Sequence, residues 1–342
     1  MKIDKTFDVY DPTTFVDEVR TLEAAGYDGL VLGEAANDPT VALAVASQHT
    51  RHVDLVAGVL IAIPRSPTHV AYAANDLQAH SGGRYVMGLG SQIRPHVEKR
   101  FSSTWTKPVA QMREFVLAVR AIFDAWERDE DVDFRGDYYQ ITLMPPYFRP
   151  PRSGHGCPPI WLAGVGPLMV RTAAEVADGL FLHPFTSERY LREQLSQWLD
   201  EGRRRAGRNE PTGLALPVLV AVGEDETSLA EATAAVRKQL AFYGSTPSYK
   251  VVLDHHGWGD LQPELNALSK QGRWDDMTSL IDDDVLDAFA VRGDATTVGE
   301  RIAQRYGDLL TRCSIYTPNY SASPEVLGEV MRSLRAAAPA SA

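Results

Sequence analysis

The sequence predicts one α/β domain built as a closed (β/α)8 TIM barrel over residues 1–338, with two insertions. Short apolar runs alternate with helix-period segments along the chain, the signature of parallel strands joined by crossover helices. Eight such units can be counted. The G-x-G-x-x-G turn of an open doubly wound sheet is missing, since the first strand is followed by DVYDPTT.

The first strand is expected at residues 3–7, followed by a helix opening at Asp11 and Pro12 and carrying Phe15, Val19 and Leu22 on one face until Gly26. GLVLGE (29–34) is the second strand, and Asp38 with Pro39 opens its helix. VDLVAGVL (53–60) is the third, followed by a helix that opens at Ser66 and Pro67 and closes at Gly82 and Gly83. YVMGLG (85–90) is the fourth, and the helix after Pro108 shows Met112, Phe115, Val119, Ile122 and Trp126 at helical spacing.

DFRGDYYQITL (133–143) reads as a hairpin turning at Gly136 and Asp137, inside a first insertion over about residues 128–158. PIWLAG (159–164) is strand five, with Pro167 starting its helix, and GLFLH (179–183) is strand six. Residues 214–222 form strand seven, followed by a helix over 228–242. The pattern then breaks into short amphipathic pieces, giving a second, helical insertion over about 244–292, before strand eight at 312–317 and its helix at 324–336.

With 34 basic and 45 acidic side chains the net charge is −11, and no long Lys/Arg run supplies the basic face that a nucleic acid requires. No apolar stretch approaches the roughly 20 residues of a membrane span. The N-terminus carries acids where a secretory signal has an apolar core. Two cysteines, Cys157 and Cys313, make a disulfide framework improbable and point to a cytoplasmic enzyme. No metal site is expected: HEXXH is absent, and adjacent His255 and His256 diverge on any regular element. The nucleophile elbow G-x-S-x-G is also missing.

In a barrel the site lies at the carboxyl ends of the strands. There the sequence delivers Glu34, Gly58, Val59, Gly90, Ser91, Gly164, Val165, Gly166, His183, Tyr316 and Asn319. WLAGVGP could aim bare N–H groups at an anion from a helix N-terminus, or its glycines could serve only a tight turn. Glu34 is either a hydrogen-bond acceptor for a ligand or the partner of a rim Arg or Lys. His183 is either a packed core histidine or a site residue. RPHVEKR (94–100) is a local basic patch, and Trp105 and Trp258 are core or cap.

The segments GYDGLVLGEAANDPTVALAVASQHT, GVLIAIPRSPTHVAYAANDLQAHSGGRYVMGLGSQIRPHVEKRF, DFRGDYYQITLMPP, WLAGVGP, ADGLFLHPF and HHGWGDL resemble, in order and spacing, the luciferase-like monooxygenase superfamily. Within it they are similar to the coenzyme F420-dependent oxidoreductases. The resemblance implies a homodimeric barrel that binds coenzyme F420, or alternatively FMN, at its mouth. It implies a non-proline cis peptide at Gly58–Val59, Gly90 and Ser91 beside the cofactor, backbone from Gly164 to Pro167 on its phosphate, and Glu34 by the ring. Arg94 and Lys99 become candidates for an anionic tail, and Glu34 and His183 for the acid that serves a small-molecule substrate. Several relatives place a histidine directly after the strand-two acid, where this chain has Ala35. Two rival functions accompany hydride transfer: an FMN-dependent two-component monooxygenase and a cofactor-binding barrel without turnover.

Overall fold

Eight parallel strands close into a ring: Lys2–Phe7, Gly29–Leu32, Asp54–Ala57, Tyr85–Gly90, Ile160–Ala163, Gly179–Phe181, Gly213–Val222 and Arg312–Tyr316. The computed structural model describes residues 1–7 and 9–338. Each strand pairs with the next in the chain, and Lys2 lies opposite Arg312, which closes the barrel.

Because side chains alternate along a strand, the ring has two apolar faces. Leu30, Leu55, Met87, Leu162, Leu180 and Leu216 point outward and pack in the main core with the helices. Val31, Val56, Val86, Trp161 and Ala215, with Phe181 against them, fill the interior as a separate cluster. Glycine makes that filling possible: a Cβ at Gly179 would lie 2.2 Å from the Trp161 ring, and one at Gly213 2.9 Å from it. At the floor, Arg312 donates to both carboxylate oxygens of Asp4 (2.7 Å each) and to Asp54 (2.6 Å).

The predicted helix starts at Asp38, Ser66 and Pro108 are all realised. Asp38 accepts from the Thr40 N–H (2.9 Å) and Ser66 from the Thr68 N–H (3.3 Å). Gly82 and Gly83 end their helix at φ +68° and +84°, conformations open to glycine. The first helix differs from expectation. It begins at Phe15, because Asp11 spends its carboxylate on the Thr13 N–H in a preceding turn.

The hairpin of the first insertion pairs Phe134 with Ile141 across a four-residue loop, 136–139. Glu114 clamps that loop, accepting from the N–H groups of Asp137, Tyr138 and Tyr139 (2.6–2.9 Å). The second insertion carries the short helices Lys250–His256, Leu261–Lys270, Trp274–Ser279 and Asp283–Phe289. It ends earlier than expected. Ala290–Gly293 is a strand that pairs with the far half of strand seven, and Ala295–Tyr306 is a further helix. At ten residues, strand seven outruns strand six, leaving backbone groups that the four-residue strand satisfies. No helix among the described residues is long and apolar enough to cross a membrane.

Candidate functional site

One step beyond the inner apolar layer, the inward positions of strands two to five and their ends are Gly33, Gly58, Gly90 and Ala163. A layer that side chains would fill in most barrels is nearly bare here. The result is a cavity of about 510 Å³ at the carboxyl ends of the strands, bordered also by Thr6, Ile61 and Met169. That is the size range of small-molecule and cofactor sites. Packing compels two of these glycines. A Cβ on Gly58 would stand 2.3 Å from Val31, and one on Gly90 2.7 Å from Val59.

The Gly58–Val59 peptide is cis, as expected. Around it the ends of strands two and three are laced together. Gly58 N–H donates to Leu32 O (2.8 Å), and Glu34 N–H to Val59 O (3.2 Å). Glu34 lines the cavity, yet its side chain is only 8% exposed and its Oε2 accepts from Arg65 (2.6 Å) and from the Ile61 N–H (2.8 Å). Arg65 also donates to Ile61 O (3.0 Å) and Asp38 (3.1 Å). Of the two open readings of Glu34, the rim ion pair is present. The carboxylate braces the segment that forms one wall and serves as an acceptor, which weakens the case for it as a proton donor.

On the opposite wall Gly164 and Val165 line the cavity, and Gly166 and Pro167 follow as N-cap and first residue of the helix Pro167–Val176. No side chain caps this helix. Neither glycine has positive φ, so a turn conformation does not explain them. A Cβ on Gly164 would meet Met169 at 2.6 Å, whereas one on Gly166 would meet nothing within 4 Å. Gly166 therefore leaves open space before a helix N-terminus with uncapped N–H groups, the arrangement that accommodates an anion. Ser91 and Gln92 form the remaining rim, with Gln92 held at φ +59°.

Other expected residues stand elsewhere. Arg94 is exposed and paired with Glu98 (2.9 Å), outside the cavity lining, as is Lys99. Arg100 instead reaches the rim, donating to the carbonyl of Ala35. His183 does not line the cavity. Its Nδ1 accepts from the Phe185 N–H (3.1 Å), and its ring stacks on Tyr249 (4.2 Å) and edges against Tyr243 (4.6 Å). Burial pushes its pKa down to about 3, so the ring is neutral and carries no acidic proton at ordinary pH. Position at a strand end suggested a donor; the aromatic cage removed the water that would have kept the ring protonatable.

His255 and His256 diverge, one toward Glu193 (3.0 Å) and the other onto the Ser187 hydroxyl (2.7 Å), with Trp258 stacked on His256. Burial raises the thiols of Cys157 and Cys313 to about 12, which leaves neither as a nucleophile. Among the site residues that escaped the sequence reading are Arg65, Thr6, Ile61, Ala163 and Met169. Only Arg65 carried a signal, as a cation in the strand-end loop IPRSP facing an unpaired acid.

A barrel with a bare layer at its mouth and an uncapped helix N-terminus beside it defines a class of α/β-barrel proteins with a ligand-sized cavity at the carboxyl ends of the strands. Comparison with known proteins places the chain more closely. Residues 6–312 match the luciferase-like monooxygenase family, and the chain belongs to it. The uncharacterised Mycobacterium tuberculosis protein Rv1360 is 44% identical over 297 residues, covering 86% of this chain and 87% of the relative. A putative coenzyme F420-dependent oxidoreductase of the same organism, Rv3520c, is 30% identical over 313 residues, 85% of this chain and 87% of the relative. Among solved structures, the coenzyme F420-dependent tetrahydromethanopterin reductase of Methanopyrus kandleri superposes with a TM-score of 0.77 at 20% identity, covering 98% of each chain.

Proposed function

We propose that this protein is a coenzyme F420-dependent oxidoreductase that moves a hydride between deazaflavin C5 and a small organic substrate. The observation that carries this is the bare mouth layer of Gly33, Gly58, Gly90 and Ala163, which leaves a slot for a flat ring system beside the open space at Gly166. The relative named as a putative F420-dependent oxidoreductase supports the choice of cofactor.

The chain's residues fit such a group without a charged side chain in the slot other than the braced Glu34. Val59 and Ile61 would form one wall and Met169 the other, while the N–H groups after Gly166 would take the phosphate. The cofactor supplies the hydride chemistry when bound. The protein orients it, excludes water and holds the substrate. Glu34 would be a positioning residue, fixing the Gly58–Val59 wall through Ile61 and Arg65. A homodimer belongs to the same proposal, and sedimentation equilibrium at micromolar concentration checks it.

Titrating the purified chain with coenzyme F420 and, separately, with FMN is the deciding test. Deazaflavin binding without FMN binding is expected. FMN-dependent oxygen uptake would instead make the protein a two-component monooxygenase. Deazaflavin binding with no turnover across alkenes, imines, ketones and alcohols would leave a binding protein.

A further inference from the structure

Just beyond the fourth strand, the backbone and the side chain of Gln92 favour different residues. Its φ of +59° lies in the left-handed region, which glycine enters freely and a residue with a Cβ enters at a cost. Among residues that carry an amide, asparagine tolerates that region best. Glutamine is nevertheless the residue present, half-buried on the border of the cavity.

The hydrogen bonds around it fix what this edge can offer a ligand. The Ile93 N–H, which can only donate, meets the Gln92 side chain at 3.0 Å, so the amide oxygen is the atom spent there. The amide nitrogen, with its two N–H groups, makes no hydrogen bond among the described residues. Ser91, also on the cavity lining, gives its hydroxyl hydrogen to the Gln92 carbonyl (3.1 Å), which leaves lone pairs on its oxygen. Two neighbouring residues therefore present one unspent donor and one unspent acceptor.

That pairing selects a chemistry. A phosphate or carboxylate oxygen accepts and cannot donate, and a ring carbonyl is limited in the same way, whereas a hydroxyl does both. A chain of hydroxyls satisfies the pair. Its place fits as well, because strand four pairs with strand three on one side and strand five on the other. At about 4.8 Å between neighbouring strands, the Val59–Ile61 wall and the helix end at Gly166 are separated by roughly two strand spacings, with Ser91 and Gln92 between them.

We propose that Ser91 and Gln92 bind the hydroxylated chain that joins ring to phosphate in the cofactor, Gln92 donating through Nε2 and Ser91 accepting through Oγ. The assignment rests on the reading of this cavity as the deazaflavin site. Gln92 is then kept for its ligand at the expense of its backbone.

Deazaflavin fluorescence, followed on the full chain at rising protein concentration, tests this with three probes: coenzyme F420, its riboside without phosphate, and a 10-methyl deazaflavin that has the ring alone. Gln92→Glu keeps the length and an acceptor for the Ile93 N–H but removes the donor. Gln92→Gly removes the side chain and suits the backbone. Both should weaken coenzyme F420 and the riboside about tenfold, the equivalent of one hydrogen bond of about 1.4 kcal/mol. Both should leave the ring-alone probe within about twofold, and the urea midpoint of Gln92→Gly should not fall below the parent's. If Gln92→Gly fails to fold, the near-isosteric Gln92→Glu carries the test. Unchanged riboside binding, or an equal loss for the ring alone, would overturn the proposal. A chain that binds no deazaflavin would overturn the cofactor reading, and riboflavin and lumiflavin then replace the probes. A variant-sensitive loss for riboflavin alone would keep the hydroxyl assignment, while binding of neither would end it too.

Discussion

Gly164 and Gly166 sit two residues apart on the same loop, and the structure gives them opposite reasons to be glycine. The first is pressed by Met169; the second faces empty space with φ −84° and ψ 161°, a conformation that valine adopts readily. Gly166→Val should therefore leave stability within about 0.5 kcal/mol, as for an unstrained exposed site, while lowering deazaflavin affinity by at least about tenfold. Paired urea melts and cofactor titrations check this, and a variant that binds normally would remove the loop from the phosphate site. Glu34 makes a second residue-level case. Arg65→Met strips its buried carboxylate of a charge-assisted bond, so a loss of about 2 kcal/mol is expected in the same melts.

At the scale of elements, the second insertion is tied to the barrel by aromatic contacts that enclose His183. Tyr249, from the insertion's first turn, and Tyr243, just before it, close over the imidazole. The folded-state pKa of about 3 lies below the usual 6.5, so the unfolded chain takes up the proton first as pH falls. The stabilisation is complete above about pH 6.5 and is lost progressively toward pH 3. His183→Phe keeps a ring in the cage and removes the titration. Its urea midpoint should therefore fall less between pH 7.5 and pH 5 than that of the parent protein, and parallel declines would contradict the assignment.

Over the whole molecule, closure draws on a buried cation. Arg312 on the last strand holds Asp4 on the first and Asp54 on the third, and its side chain is 4% exposed. Removing it strands the Asp4 carboxylate in the barrel floor, while Asp54 keeps its ion pair with Lys2. Arg312→Met should cost about 3–5 kcal/mol, the range for breaking a buried pair, with loss of cooperativity in thermal unfolding. Gly29 belongs to the same device, since a Cβ there would lie 2.3 Å from the Arg312 guanidinium and 2.4 Å from Asp4.

The barrel was legible because its determinants are local and periodic. Apolar runs at strand spacing, proline and serine at helix starts, and glycine pairs at helix ends each act on a few neighbouring residues. The backbone part of the site was legible for a related reason: Gly58, Gly90 and Gly164 lie at strand ends, where the topology alone brings them together. What the sequence could not decide was the environment of each polar side chain. Glu34 meets Arg65 31 residues away, His183 is caged by tyrosines 60 and 66 residues on, and the strand Ala290–Gly293 exists only because strand seven outlasts its neighbour. Pairing, desolvation and hydrogen-bond direction depend on which distant groups the closed ring brings within a few ångströms, and linear spacing does not encode that distance.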